Sequence, residues 1–130
     1  MIANVIYQGA IRFLGESTDD GDNQDYLDRA PYILGAFCSQ TRGIDAQARR
    51  MRGIKETKDA DVVYLALDSQ FPLLDDFAPA AELYLAAMLV IDYDAALYER
   101  LFARYCDLIS TVCSSIEAIS ESTVNKYFMD

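Results

Sequence analysis

Residues 71–116 read FPLLDDFAPAAELYLAAMLVIDYDAALYERLFARYCDLISTVCSSI. Residues 80–91 are apolar except for Glu82, and the run stops at Asp92-Tyr93-Asp94. A helix that is apolar on nearly every side has to be buried. The helix this stretch predicts, residues 79–91, has 13 residues. That is short of the roughly 20 needed to cross a bilayer, so protein rather than lipid is expected around it. Pro79 is tolerated in a first turn, and Asp75 and Asp76 precede it where anions suit the helix dipole. Asp92 is in position to cap the following helix. That helix places Leu97, Leu101, Phe102, Tyr105, Leu108, Ile109, Val112 and Ile116 at helical spacing, a seam of about six turns. Past Ile116 the pattern weakens, and residues 117–130 read as a flexible tail with Tyr127, Phe128 and Met129 near its end.

At the N-terminal side, Ile2, Val5, Ile6, Ala10, Phe13 and Leu14 form another amphipathic helix, with Gly15 placed to end it in a left-handed cap. A polar loop follows, and Asp22 or Asn23 is available as the next N-cap. Tyr26, Ala30, Ile33, Leu34, Phe37 and Cys38 share one helix face. Because Tyr26 and Ala30 keep that period, the helix is expected to begin before Pro31 and kink there. Residues 62–67 (VVYLAL) suit a short β-strand or an extended segment lying on the core. The expected fold is therefore all-α. It is a single domain over residues 1–130, a bundle of four to five helices, with a polar arm or loop over about residues 41–70.

Charge is sharply segregated. Residues 42–58 hold six of the eleven basic residues against two acids, a local +4, and the rest of the chain carries −14, which together make the net −10. The six are Arg42, Arg49, Arg50, Arg52, Lys55 and Lys58. They are the candidate partner-contact residues, because arginine pairs bidentately with carboxylate or phosphate. The block has no aromatic residues for base stacking, which favours a protein contact over a nucleic-acid one. The acidic balance of the whole chain opposes nonspecific duplex binding.

Few residues are suited to chemistry. The chain has no histidine, so the usual general base and commonest metal ligand are missing. The six glycines form no phosphate loop. The acidic loop at residues 19–25 fails the EF-hand spacing, because Asp25 or Leu27 falls where glycine is required. Glu82 reads as a helix-dipole or interface carboxylate rather than a buried ligand. A carboxylate–Mg²⁺ enzyme would need acids drawn from Glu82, Asp92, Asp94 or Glu99 to converge in one cleft. Cys38, Cys106 and Cys113 make no C-x-x-C pair and read as buried free thiols. Residues 1–14 lack the basic and small-residue marks of a signal peptide. No catalytic residue, metal or cofactor is expected.

The order of elements resembles a known family. The pattern is FLGES (residues 13–17), an acidic loop, DYLDRAPYILGAF (residues 25–37), and then SQFPLLDDFAPAAELYLAAMLVIDYDAALYERLFARY (residues 69–105). Over residues 2–110 this layout is similar to the head–tail connector (head-completion adaptor) proteins of tailed phages and prophages. The basic block departs from that layout. The resemblance implies a non-enzymatic helical subunit that assembles with its own copies as a ring beneath the portal and joins it to the tail. DNA would be only a passing contact, and no membrane would be involved. The alternative expectation is a helical regulatory module using the basic arm against an acidic partner.

Overall fold

The apolar run forms a helix at Ala78–Val90, and ten of its 13 residues are buried. The computed structural model describes residues 1–15, 24–55 and 63–128, with side chains as far as Ile116. In chain order its helices are α1 (Ala3–Phe13), α2 (Gln24–Arg52), α3 (Ala78–Val90) and α4 (Ala95–Phe128). A 3₁₀ turn, Asp75–Phe77, leads directly into α3. The all-α expectation holds, and no strand occurs among the described residues.

Helix α3 is the spine and packs against each of the other three helices. Ala80, Ala81, Ala86 and Ala87 keep its girth small, so neighbouring backbones come close, while Leu83, Leu85 and Leu89 fill the space between them. Each large side chain removed from water contributes roughly 1.5–3 kcal/mol before entropy is subtracted. Pro79 occupies the first turn, where its missing N–H costs nothing. Helix α4 returns antiparallel after a tight turn. Its N-cap is Asp94, whose Oδ1 accepts the Leu97 N–H at 3.1 Å. Asp92, the expected cap, lies two residues too early and is exposed. The helix also continues beyond the apolar seam to Phe128, 34 residues in all rather than about six turns.

Helix α2 runs antiparallel to α3. Arg29 donates to the Leu89 carbonyl near one end, and Phe37 packs on Tyr84 midway. Pro31 lies inside this helix, as the Tyr26–Ala30 spacing predicts. Residues 41–52, expected in the polar arm, are instead the second half of α2. The reason is that its buried stripe continues through Thr41, Asp45 and Ala48, at helical spacing but without large apolar side chains. The helix closes at Gly53, φ +69°, with Ile54 N–H on the Arg49 carbonyl (2.8 Å) and Gly53 N–H on the Arg50 carbonyl (3.3 Å). This is the paired bond pattern of a glycine-terminated helix. Gly15 ends α1 in the same left-handed conformation, as expected.

Of the stretch expected as strand or extended segment, residues 63–67 are described; they bend at Val63, follow an irregular path over 64–66 and enter a turn at Leu67, without a ladder. They lie across α2, with Leu65 N–H donating to the Pro31 carbonyl at 2.9 Å. The chain then satisfies the start of α1, whose Ile2 N-cap offers no side-chain acceptor. Ala3 N–H donates to the Ser69 carbonyl (2.9 Å) and Asn4 N–H to the Leu67 carbonyl (2.8 Å), beside an isolated Ile2–Gln70 bridge. First-turn N–H groups need such outside partners. Residues 16–23 of the acidic loop, with the candidate caps Asp22 and Asn23, lie outside the described residues, and Gln24 and Asp25 already belong to α2.

Candidate docking surfaces

The basic block begins as four arginines on the second half of α2. The side chain of Arg49 points inward. Its Nε donates to Asp45 Oδ2 at 2.9 Å, and its two terminal nitrogens reach the carbonyls of Lys55 and Pro72, each at 3.1 Å. Asp45 is 3 % exposed, and its other oxygen accepts the Leu74 N–H at 2.7 Å. The pair therefore ties α2, the residues after its C-terminus and the approach to α3 into one unit. Arg52 pairs with Asp76 through two bonds of 2.9 Å. Hydrogen bonding from Arg52 is the main cause holding the Asp76 carboxyl below its usual range. Both groups are well exposed, so this pair contributes no more than about 1 kcal/mol. Arg42, Arg50 and Lys55 are exposed on the same end of the molecule. Lys58 lies outside the described residues.

Glu82 sits one turn into α3 on the seam with α1. Its carboxyl lies over the backbone of Gly9, where a Cβ would come within 2.5 Å of it. Together with Val5, Gln8, Arg12 and Phe13 these residues line an open groove of about 520 Å³. Burial raises the Glu82 pKa above 4.5, and the charge of Arg12 partly opposes the shift. The folded state thus holds this proton more tightly than the unfolded chain does. Stability is then lost as pH rises from below 4.5 through the raised folded value. Glu82→Gln should accordingly melt higher than the parent at pH 7, and the gain should shrink towards zero below about pH 4. Thermal melts at a series of pH values read this out; a gain that persists unchanged in acid would refute the assignment.

Of the four acids weighed for a carboxylate–Mg²⁺ site, Glu82 stands apart from the rest. Glu82 is in the first half of α3, whereas Asp92 and Asp94 lie in the turn beyond its other end. That separates them by about 15 Å of helix rise. No cluster of three or more potential metal-ligating side chains occurs among the described residues. Of the three cysteines only Cys38 is buried, and burial, followed by the charge of Asp45, pushes its thiol up to about 12. Cys106 is exposed and Cys113 half-buried, which corrects the expectation of three buried thiols. They sit on α4, whose seam is covered unevenly.

That uneven cover was not legible in the sequence. Leu101 and Ile116 are buried, but Leu97, Phe102, Tyr105, Leu108, Ile109 and Val112 are only partly covered. A chain of rings runs outward from the core along this seam. Phe37, Tyr84, Tyr105, Phe102 and Tyr98 follow one another with centroids 5.2–5.7 Å apart. Partial burial, with Tyr84 and the two α4 cysteines nearby, raises the Tyr105 pKa. The opposite end of the bundle carries a second surface. There Arg29 bonds Asp25 at 3.2 Å and the Leu89 carbonyl at 2.7 Å, and lies over the Tyr93 ring at 5.6 Å. The Tyr93 hydroxyl donates to Asp25 at 3.0 Å.

No family model, curated protein or solved structure matches this chain.

Proposed function

We propose that this chain is a structural, non-enzymatic connector subunit of a tailed phage or prophage, joining the portal to the tail as a ring around the DNA channel. The observation that carries this reading is α4. The helix is 34 residues long, yet among its described seam residues only Leu101 and Ile116 are fully buried, the others being half-covered against the core. A seam wider than its own bundle covers suits a subunit that finishes packing against partners. The helix also runs 12 residues beyond Ile116, about 18 Å of rise. The layout of residues 2–110 supports the same reading. Portal proteins, tail proteins and further copies are the partners, and assembly takes place in the virion or the bacterial cytoplasm. A net charge of −10 lets DNA pass without tight phosphate contact. No helix among the described residues is long and apolar enough to cross a membrane.

The regulatory alternative has less to rest on, because Arg49 and Arg52 already pair with acids of their own chain. The test is mass measurement over a concentration series, with and without a candidate portal. The connector reading expects one closed multimer on the portal. A chain that ignores the portal and binds an acidic protein one-to-one, in a salt-sensitive way, would overturn it.

A further inference from the structure

Between α2 and α3 lies an open groove of about 370 Å³, lined by Arg29, Tyr32, Ile33, Ala36, Tyr84 and Met88. Its lining is mostly apolar, and its one charged member is held by Asp25, the Leu89 carbonyl and the Tyr93 ring. Beside it Tyr32 is 60 % exposed and meets Tyr64 edge-to-face, with ring centroids 4.9 Å apart. Val63, next to Tyr64, is 78 % exposed. Single exposed apolar residues are ordinary on a protein surface, but a contiguous aromatic and aliphatic patch around a groove marks a contact site. The approach to this one is acidic. Asp25 and Asp28 are exposed one turn before Arg29 and Tyr32, and Asp92 is exposed beside Tyr93.

The groove thus suits an apolar side chain flanked by positive charge. The far end of α2 presents that combination. Arg50 is exposed in its last turn, and beyond the Gly53 cap come Ile54, 42 % exposed, and Lys55, also exposed, while Arg49 and Arg52 are held by Asp45 and Asp76. Tyr32 and Ile54 are 22 residues apart, about 33 Å along the helix, so the two features cannot meet within one copy.

We propose that the α2–α3 groove of one copy receives the basic, Ile54-bearing end of α2 from a second copy. The apolar side chain seats among Tyr32, Tyr84 and Met88, and the acidic approach orients the positive tip. Because groove and tip are different surfaces at opposite ends of one subunit, the contact is head-to-tail. Such a contact propagates, and it closes into a ring when the rotation permits. The proposal deepens the connector reading by naming the two faces through which copies touch, and it rests on that reading only in requiring that copies touch.

The test is sedimentation of the full chain at low salt, up to about 1 mM, where contacts as weak as a millimolar Kd register. The wild type should gain mass with concentration and lose it as salt is added. Tyr32→Lys and Ile54→Glu, both at exposed positions, should each weaken association about thirtyfold or more. A mixture of these two variants should stop at one-to-one dimers, because only one intact groove can meet one intact tip. Asp28→Lys and Lys55→Glu should each weaken association, and combining them in one chain should restore it. Helical circular dichroism of every variant checks that the fold is retained.

A variant that associates like the wild type, or a mixture that builds the full wild-type species, overturns the proposal. So does a wild type that stays monomeric to about 1 mM. Multimer formation on a portal in either case would leave the connector reading standing, so the two failures are distinguishable.

Discussion

Arg49→Ala should destabilise the protein by about 3–5 kcal/mol, the cost of leaving a buried charge without its partner. Asp45 is 3 % exposed, and with Arg49 gone its carboxylate would lose its ion-pair partner and keep the Leu74 N–H. The carbonyls of Lys55 and Pro72 would lose a donor in the same step. For a chain of 130 residues this corresponds to a melting temperature lower by roughly 10–20 °C. Arg49→Lys should recover only part of the loss, because an ammonium group cannot reach three acceptors arranged around a planar fork. The double variant Asp45→Leu with Arg49→Met removes both charges and should be less damaged than Arg49→Ala. Chemical denaturation of the four proteins decides the matter. A loss under 1 kcal/mol in Arg49→Ala would mean that the network does not hold the end of α2 in place. The comparison also bears on the basic block, since it identifies an arginine of that block that maintains the fold.

Gly35→Ala should cost about 2–3 kcal/mol, although alanine favours a helix by roughly 1 kcal/mol over glycine. A Cβ at Gly35 would overlap the carbonyl group of Val63 and approach Tyr64 N at 3.0 Å. Backbone cannot swing aside as the end of a side chain can, so residues 63–65 would have to lift. Lifting them would break the Leu65 N–H bond to Pro31 and disturb the Tyr32–Tyr64 contact. Gly43, on the same helix, is the control: nothing lies within 4 Å of its Cβ position. Gly43→Ala should therefore stabilise by about 0.5–1 kcal/mol through helix propensity alone. The pair should move in opposite directions in the same denaturation experiment. Equal effects at both sites would mean that residues 63–65 are not seated on α2.

The helical spine and its antiparallel partner were legible in residues 71–116, because an apolar run of that length has few other places to go. The second half of α2 was not. Its buried stripe is Thr41, Asp45 and Ala48, residues that hydropathy scores as polar or small. Asp45 is buried because Arg49 and Leu74 satisfy it; Arg49 stands at the i,i+4 spacing of a helical ion pair, but Leu74, 29 residues away, cannot be identified from spacing. The charge of the block was plain in the sequence, but the inward turn of Arg49 was not, because an arginine points wherever acceptors are arranged for it. The cap of α4 moved from Asp92 to Asp94 for a related reason. Either aspartate can cap, and the chain reversal after Val90 decides which is in position.

Sequence alone determined what must leave water: the faces of α1, α3 and α4, the all-α class, and the segregation of charge. Periodicity is a local property and is written in neighbouring residues. The tertiary structure alone decided which polar groups are satisfied inside, how much of the α4 seam remains uncovered, and that an aromatic groove and a basic tip lie at opposite ends of α2. Those outcomes depend on residues 20 to 70 positions apart meeting in space, and no local pattern encodes the meeting.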